Sequence, residues 1–252
     1  MTPLRRLVAV LTLVLTTVAL AACGSGPTGT AASAPTPSAG TAIDIGLPAS
    51  LLHATFQDST GAPVHLSDFA GKTVVVSDAM TLCQESCPID TATLVQTATK
   101  LAHDPDVVFL SITVDPQRDT PAQLAAYKQQ YAPGGTLPNW HLWTGQPAVV
   151  HALWKRLGVF VQRTKGDPGV HNWRTGALLT YDVAHSDEVF FFDGAGHERY
   201  ILDGMPSLGG DNNVPAKMRR FMSDVGHRNM SKTAGWTSSD AVSVVDWLKS
   251  SK

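Results

Sequence analysis

The centre of the chain alternates between β-branched apolar segments and an amphipathic helix, and this alternation most constrains the fold. Residues 73–77 and 107–114 are predicted to be buried strands, and residues 88–102 form a helix between them with its apolar positions spaced toward one face. Further helices are predicted from Thr120-Pro121 onward and over residues 147–157. A strand–helix–strand order predicts parallel strands joined by a right-handed crossover, and therefore an α/β fold.

Two pairs of shorter segments are predicted to be hairpins. Residues 53–56 and 63–66 surround the turn sequence Asp58-Ser59-Thr60-Gly61 and predict an N-terminal β-hairpin. Residues 178–183 and 188–192 are strand-like and close enough in the chain to pair as a second hairpin. The whole pattern predicts a central mixed sheet flanked by helices.

The C-terminal part predicts a helical extension of the same domain. Residues 204–213 are rich in glycine and turn-forming polar residues and predict a surface loop. Residues 214–225 and 240–248 are predicted to be closing helices. No chemical role is predicted for residues 194–236.

The N-terminus has the pattern of an export signal. Arg5 and Arg6 precede the uncharged, mostly apolar residues 7–22, which are too short for a typical spanning helix and fit a signal peptide. The sequence Leu20-Ala21-Ala22-Cys23 resembles the bacterial lipoprotein signal, and the resemblance implies that Cys23 becomes the acylated first residue. We therefore expect an exported protein, lipid-anchored at the outer face of the bacterial cytoplasmic membrane, where disulfides persist.

A tether is predicted to follow the anchor. Residues 24–42 contain only Gly, Ser, Thr, Pro and Ala, which cannot bury a core. We expect residues 23–45 to be a flexible lipid-anchored linker and residues 46–252 to be one folded domain.

Composition excludes several protein classes. A chain of 252 residues with 43% hydrophobic and 16% charged residues is not a disordered polymer, a collagen-like repeat or a coiled coil. Its formal charge of −2 provides no basic excess to neutralise phosphates, so a nucleic-acid partner is not expected.

Two of the three cysteines are the strongest candidates for chemistry. Cys83 and Cys87 lie between the 73–77 strand and the helix that begins at Pro88, at the carboxyl edge of the predicted sheet. The helix N-terminus favours a thiolate at Cys87. Three intervening residues are compatible with a metal site, a redox dithiol or a structural disulfide, and spacing alone does not choose among them.

Three motifs together resemble the Sco/SenC family. They are Cys83-x-x-x-Cys87-Pro88, the run Ser111-Ile-Thr-Val-Asp-Pro-Gln-Arg-Asp-Thr-Pro121, and Tyr181-Asp-Val-Ala-His-Ser186 ahead of Val189-Phe-Phe-Phe-Asp193. The resemblance covers roughly residues 50–200. It implies a thioredoxin-like fold and a membrane-tethered copper protein, a metallochaperone rather than an enzyme. Such a protein helps to assemble the dicopper centre of cytochrome c oxidase.

By the same resemblance, Cys83, Cys87 and His185 are copper ligands for Cu(I), Cu(II) or both. The acceptor would be the dicopper subunit or another copper or thiol partner. A reversible Cys83–Cys87 disulfide is expected to block copper binding, because the metal needs both thiolates.

The positions of His185 and Asp115 in the chain allow both side chains to reach the cysteine loop. Among nine histidines, His185 lies in the connection between two strand-like segments, where a side chain can reach an adjacent loop. Asp115 ends the second strand at the same sheet edge, so it either orients His185 or a loop amide, or serves as a turn residue before Pro116.

The segment before the cysteines departs from the family pattern. It reads Ser77-Asp78-Ala79-Met80-Thr81-Leu82, in which only the threonine matches, an acid replaces an apolar residue and methionine replaces tyrosine. Asp78 near Cys83 would raise the thiol pKa and favour a bound cation, and Met80 would offer a thioether to Cu(I). The alternative is that Asp78 faces solvent and Met80 fills the core.

Two enzymatic functions remain as alternatives to copper delivery. In the first, Cys83 and Cys87 act as a thiol–disulfide oxidoreductase outside the cytoplasm, with one cysteine attacking a partner disulfide and the other resolving it. In the second, the thiols reduce peroxides.

Overall fold

The computed structural model describes residues 33–36, 40–208, 213–233 and 235–251. The strands are β1 (Gly40–Gly46), β2 (Phe56–Asp58), β3 (Pro63–Val64), β4 (Thr73–Ala79), β5 (Val107–Thr113), β6 (Trp140–Gly145), β7 (Val161–Lys165), β8 (Tyr181–His185), β9 (Glu188–Phe192) and β10 (His197–Asp203). The α-helices are α1 (Ala49–Leu52), α2 (Cys87–Lys100), α3 (Pro121–Tyr131), α4 (Pro147–Leu157), α5 (Ala216–Phe221), α6 (Asp224–Asn229) and α7 (Ser238–Ser250), and two 3₁₀ helices span Leu66–Phe69 and Pro133–Gly135.

The main sheet has eight strands in the order β1-β10-β9-β4-β5-β6-β2-β3. The β4, β5 and β6 strands are parallel to one another, and every other neighbouring pair in this sheet is antiparallel. Every residue of β4 and β5 is buried, as expected for strands covered on both faces. The predicted mixed α/β sheet is confirmed.

Helices cover both faces of this sheet and create two apolar cores. In β4, Val75 packs into the core that contains α2, α3 and α7, whereas Val74 and Val76 pack into the core that contains α4. This alternation follows from the two-residue period of a strand. Cys83 and Cys87 belong to the core on the α4 side.

The predicted helices of the central part begin and end close to their expected positions. The α2 helix begins at Cys87 with proline in its first turn, and α4 has the predicted bounds. The α3 helix is capped by Thr120, whose side chain accepts a hydrogen bond from the backbone of Gln123. The predicted N-terminal hairpin is confirmed as β2 and β3.

The predicted pairing of residues 178–183 with 188–192 is wrong. The β8 strand pairs instead with β7 in a separate two-stranded sheet, while β9 enters the main sheet between β10 and β4. The β9 strand is buried along almost its whole length, whereas β8 has one buried residue, Val183. A strand that is apolar on both faces is more stable in the centre of a covered sheet than in an exposed hairpin.

The predicted linker also ends earlier than residue 45. Residues Gly40–Gly46 form β1, which pairs with β10 at the edge of the main sheet. The carbonyl oxygen of Pro35 accepts a hydrogen bond from the Tyr200 hydroxyl at 2.7 Å, so this part of the predicted tether contacts the domain.

The C-terminal prediction needs two corrections. The predicted helix over residues 214–225 is divided into α5 and α6, because Met222 is extended and Ser223 caps a new helix. The predicted surface loop begins with Gly204, but Ser207 and Leu208 are buried. The closing helix is confirmed as α7.

The predicted signal peptide, the acylation site Cys23 and most of the tether lie outside the described residues. Within the described part of the chain, no helix is both long enough and apolar enough to cross a membrane.

Candidate metal centre

The two central cysteines lie where β4 ends and α2 begins. Cys83 belongs to the connecting loop, and Cys87 is the first residue of α2, directly after the cap residue Ser86. Both are free thiols, and only 8% of Cys83 and 2% of Cys87 is exposed. The parallel strand and the following helix therefore place two buried sulfurs at the carboxyl edge of the sheet, as predicted.

His185 at the end of β8 reaches this loop from the second sheet. Its Nε2 lies 3.3 Å from Sγ of Cys87. Its Nδ1 lies 2.8 Å from Oδ2 of Asp78 and 3.0 Å from the carbonyl oxygen of Ser186. Because two acceptors face Nδ1, the ring keeps a proton on that nitrogen, and Nε2 is the nitrogen that faces the sulfur.

The ionisation of these groups is strongly coupled. The hydrogen bond from Cys87 and the contact with His185 lower the pKa of Cys83 well below its ordinary value, although burial opposes them. Burial and the neighbouring charge of Cys83 raise the pKa of Cys87. Burial alone would lower the pKa of His185, but the hydrogen bonds to Asp78 and Cys83 raise it well above its ordinary value. Cys83 therefore ionises to a thiolate more readily than Cys87, which stays a thiol.

Asp78 is buried beside the imidazole, so the interpretation that it faces solvent is wrong. The side chains of Asp78 and His185 are each 4% exposed, and Oδ1 of Asp78 also accepts a hydrogen bond from the backbone of Glu188. The pKa of Cys83 is lowered by Cys87 and His185, so a rise caused by Asp78 does not dominate it. The ion pair that Asp78 makes is with the histidine.

Met80 fills the core next to the cysteines. It is 2% exposed and packs in the same apolar cluster as Cys83 and Cys87. A guanidinium nitrogen of Arg118 lies 3.8 Å from the Met80 sulfur. These contacts favour the packing interpretation over the thioether ligand.

Of the two alternatives predicted for Asp115, the turn residue is favoured, because its carbonyl oxygen accepts hydrogen bonds from the backbone of Arg118 and Asp119. Its side chain does not orient His185. One carboxylate oxygen accepts a hydrogen bond from the Tyr181 hydroxyl at 2.9 Å, and the other forms an ion pair with Arg118. Arg118 also donates to the carbonyl oxygen of Tyr181 at 2.6 Å and stacks over its ring. Asp115 therefore fastens β8, the strand that carries His185, to the main sheet without contacting the imidazole itself.

Sequence reasoning missed two acids behind the site. Asp187 lies with Oδ1 3.7 Å from Nδ1 of His185 and accepts a hydrogen bond from the Ser86 hydroxyl at 3.3 Å. Burial and the charge of Asp78 raise the pKa of Asp187 to about 6. Burial, with the charge of Asp187, raises the pKa of Asp90 well above its ordinary value. Asp187 could have been identified from the sequence, because it lies only two residues after His185.

A third missed group holds the start of the cysteine loop. Trp173, in the segment between β7 and β8, donates through Nε1 to the carbonyl oxygen of Thr81 at 2.7 Å. Asp119 accepts hydrogen bonds from the backbone and hydroxyl of Thr81 and from the hydroxyl of Thr113. Burial raises the pKa of Asp119 to about 6. Two separate segments thus fix the residue that precedes Leu82-Cys83.

The arrangement brings together three buried side chains that can offer two thiolates and one imidazole nitrogen. Thiolates are soft ligands that select Cu(I) and Zn²⁺, and imidazole binds both metals. The carboxylate on Nδ1 is the usual outer partner of a metal-binding histidine. The donor set of Cys83, Cys87 and His185 therefore fits a soft metal ion.

Comparison with known proteins identifies the family of this chain. The SCO1/SenC family model matches residues 51–223, more than half of the chain. The "Protein SCO2 homolog, mitochondrial" of Mus musculus is 38% identical over 79 residues, which cover 30% of this chain and 31% of that protein. The "SCO1 protein homolog" of Bacillus subtilis is 30% identical over 119 residues, which cover 46% of this chain and 61% of that protein. The chain thus spans less than two thirds of both curated relatives.

The fold also matches a solved structure. Arabidopsis thaliana ScoI with copper bound is 22% identical, with a TM-score of 0.50, over 63% of this chain and 88% of that chain. This likeness confirms the predicted thioredoxin-like fold. The matched family model, the sheet topology and the cysteine–histidine site lead to one conclusion: the chain belongs to the SCO1/SenC family.

Proposed function

We propose that this protein binds one copper ion through Cys83, Cys87 and His185 and delivers it to the dicopper centre of cytochrome c oxidase. The observation that carries the proposal is the position of His185, whose Nε2 lies 3.3 Å from a buried thiol in a two-cysteine loop. A solved relative, Arabidopsis thaliana ScoI, has copper bound.

Transfer proceeds by ligand exchange and needs no change in oxidation state. The acceptor's thiolates replace those of Cys83 and Cys87 one at a time, and the two sulfurs here regain protons when the ion leaves. The low pKa of Cys83 supports its role as the first sulfur to bind, since a thiolate is the binding form.

Anaerobic titration of the reduced protein with Cu(I), in competition with a chelator of known affinity, tests the binding step. We expect one copper per chain. Cys83→Ser, Cys87→Ser and His185→Ala should each weaken binding by more than about 100-fold, because losing even an outer partner costs about 10–100-fold. His103→Ala, at an exposed histidine, is the matched control. Unchanged affinity in the His185 variant would remove this residue from the site.

Oxidation provides an independent test. A Cys83–Cys87 disulfide removes both thiolates, so mildly oxidised protein should bind no copper until it is reduced. Thiol labelling before and after oxidation reports the state of the pair. Equal copper affinity in both states would mean that the copper site lies elsewhere.

The delivery step is tested with the copper-loaded protein and the soluble dicopper domain of an oxidase. We expect the acceptor to gain copper–thiolate absorption while this protein regains two titratable thiols. Copper retained here despite an excess of reduced acceptor would contradict delivery, though not binding.

A second function, thiol–disulfide exchange, is favoured by the opposite pKa changes of the two cysteines. The Cys83 thiolate would attack a partner disulfide, form a mixed disulfide and release one partner thiol. Cys87 would then attack Cys83 and release the second partner thiol, so that two electrons pass to the partner. A Cys87→Ser variant would trap the mixed disulfide in this case, and the absence of a trapped species would favour copper delivery.

We also infer that the domain works at the outer face of the bacterial cytoplasmic membrane, anchored through acylated Cys23. The signal-like residues 7–22 and the sequence Leu20-Ala21-Ala22-Cys23 support this inference. An anchor would keep the metal centre close to a membrane-bound oxidase.

A further inference from the structure

The loop between the two cysteines is held from outside by the C-terminal extension. The backbone N–H of Ser223 donates to the carbonyl oxygen of Gln84 at 2.9 Å, and the Ser223 hydroxyl lies 3.4 Å from the same oxygen. Gln84 in turn donates through Nε2 to the carbonyl oxygen of Phe221 at 2.8 Å. Both the peptide and the side chain of the residue after Cys83 are therefore fixed.

Gly226 in α6 brings the helix backbone directly against this loop. A Cβ on Gly226 would overlap the carbonyl oxygen of Gln84 and would lie 3.2 Å from Cα of Glu85. Glycine is therefore the residue that allows this approach. Ser223 caps the helix by accepting a hydrogen bond from the Gly226 backbone at 3.2 Å, so one residue both starts α6 and binds Gln84.

The other end of the loop is held by the segment that follows His185. The Ser86 hydroxyl donates to Asp187 at 3.3 Å, and Cys87 contacts the imidazole. All these contacts belong to the state in which both thiols are free. Contacts made in one state of a two-state equilibrium shift the equilibrium toward that state.

We propose that Phe221, Ser223 and Gly226 form a clamp that positions the Cys83–Cys87 loop in its dithiol state and disfavours the disulfide. Closing the disulfide must bring two separate sulfurs to about 2.05 Å. The clamp holds the backbone between these two sulfurs, so it opposes any movement of Gln84 and Glu85 that the closure requires. The benefit of the clamp rests on the proposed copper function, since copper needs both thiolates. Its effect on the thiols is measurable without copper.

The test is the equilibrium of the full chain with glutathione, a small-molecule thiol. In this reaction the Cys83–Cys87 S–S bond forms and the S–S bond of oxidised glutathione breaks. Two electrons and two protons pass to two glutathione thiols. The ratio of disulfide to dithiol protein is read by thiol labelling and mass spectrometry.

Two variants loosen the clamp in different ways. Gly226→Ala pushes α6 away from the Gln84 carbonyl, and we expect it to shift the equilibrium toward the disulfide by about tenfold, which is about 30 mV for a two-electron couple. Gln84→Met removes the hydrogen bond to Phe221 without adding bulk or charge, and we expect a shift of about threefold, as for loss of one hydrogen bond.

One matched control keeps the clamp intact. Val225→Ala changes the exposed neighbour of Gly226 in the same helix. This variant should stay within twofold of the wild-type equilibrium. A Val225→Ala shift as large as that of Gly226→Ala would overturn the clamp, because general loosening of the extension would then explain both.

The result is separable from the copper proposal. Folded clamp variants with a wild-type glutathione equilibrium would overturn the clamp even if copper binds. If Gly226→Ala does not fold by circular dichroism, Gln84→Met alone decides in the same way. A shifted equilibrium in a protein that takes up no copper would leave the clamp standing and refute the copper function.

Discussion

The imidazole of His185 is the residue on which the chemistry of this site converges. One nitrogen faces Cys87, and the other faces the buried carboxylate of Asp78. The carboxylate fixes the ring orientation and increases its basicity, which strengthens the bond from Nε2 to a metal. An acid at position 78 departs from the apolar residue that the family pattern implies, so this histidine receives an additional charged partner.

We expect Asp78→Asn to weaken Cu(I) binding by about 10-fold or more at alkaline pH, because the isosteric amide keeps a hydrogen bond and loses the charge. The pKa of His185 should fall in the variant, and the C–H resonances of the ring followed by NMR against pH will show it. At lower pH a proton competes with copper for Nε2, and it competes more strongly in the wild type. The difference in affinity should therefore narrow as the pH falls below the pKa of His185.

Asp182→Asn is the matched control for this prediction. Asp182 lies on β8 with His185, but its carboxylate accepts a hydrogen bond from the backbone of Val183 instead. Equal losses of copper affinity in the two variants would show that general negative charge matters rather than the Asp78–His185 contact.

The buried carboxyl group of Glu188 should make the stability of the protein depend on pH. Burial raises its pKa from 4.5 to about 7, and its Oε2 is buried without a hydrogen-bond partner among the described residues. The folded state therefore binds the proton more tightly than the unfolded state. The resulting stability is fully present below pH 4.5 and is lost as the pH rises through about 7.

We therefore expect Glu188→Gln to unfold at higher urea concentration than the wild type at pH 8 and not at pH 4.5. For a fully buried group, a pKa change of this size corresponds to about 3 kcal/mol in the free energy of unfolding. Solvent screening of the half-buried side chain reduces the expected gain to about 1 kcal/mol. The same gain at both pH values would rule out titration of Glu188 as its cause.

At the scale of single residues, motif and spacing located the two cysteines and the histidine but not the groups that support them. Cys83 and Cys87 are fixed by a strand–loop–helix order that is local in sequence. The contacts of Asp187 and Trp173 depend on how β8 and the segment before it pack against the main sheet. The two alternatives for Asp115 could not be separated from the sequence, because sharing a sheet edge does not determine which side chain a carboxylate contacts.

At the scale of elements, the central strands and helices followed directly from hydrophobic periodicity, and strand pairing did not. The pairing of β8 with β7 involves strands about 20 residues apart, and the intervening chain carries no strong hairpin signal. The Ser186 backbone bonds to the carbonyl oxygen of Phe160, and its hydroxyl accepts from the Phe160 backbone. These contacts turn the chain out of β8 immediately before β9 enters the main sheet.

The β1 strand shows how a short segment can be mistaken for a linker. Most of its residues are exposed, so it has little apolar periodicity, and its stability comes from pairing with β10. Without β1 and the residues before it, the edge of β10 would expose unpaired backbone groups and the Tyr200 hydroxyl would lose its hydrogen bond to the Pro35 carbonyl.

We expect a chain that begins at residue 47 to be less stable than one that begins at residue 33 by about 2 kcal/mol, from five cross-strand pairs worth about 0.2–1 kcal/mol each. Urea unfolding of the two proteins measures this difference. The longer protein is the control, because it keeps β1 and Pro35 and lacks the signal segment. Equal stability would mean that β1 contributes nothing to the domain.

At the scale of the whole molecule, the sheet separates two apolar cores and places the metal centre at one edge. The core on the α4 side includes both cysteines, whereas α7 and the rest of the C-terminal extension close the opposite core. The α6 helix of the same extension lies against the Gln84 carbonyl, in the loop that carries the thiols. The extension therefore contacts both the opposite core and the loop between the two thiols.

The position of this molecule in the cell gives the last prediction. If Cys23 is acylated after removal of residues 1–22, several acyl chains hold the protein at the membrane at about 0.8 kcal/mol per buried methylene. We expect Cys23→Ser to abolish labelling by a radioactive fatty acid and to move the protein from the membrane fraction to the soluble fraction. Cys83→Ser is the matched control, because it removes a thiol without touching the acylation signal, and it should remain with the membrane. If the Cys23→Ser protein stays in the membrane fraction after high-salt washing, the anchor is an uncleaved apolar segment or another protein, and acylation is not what holds the domain near its acceptor.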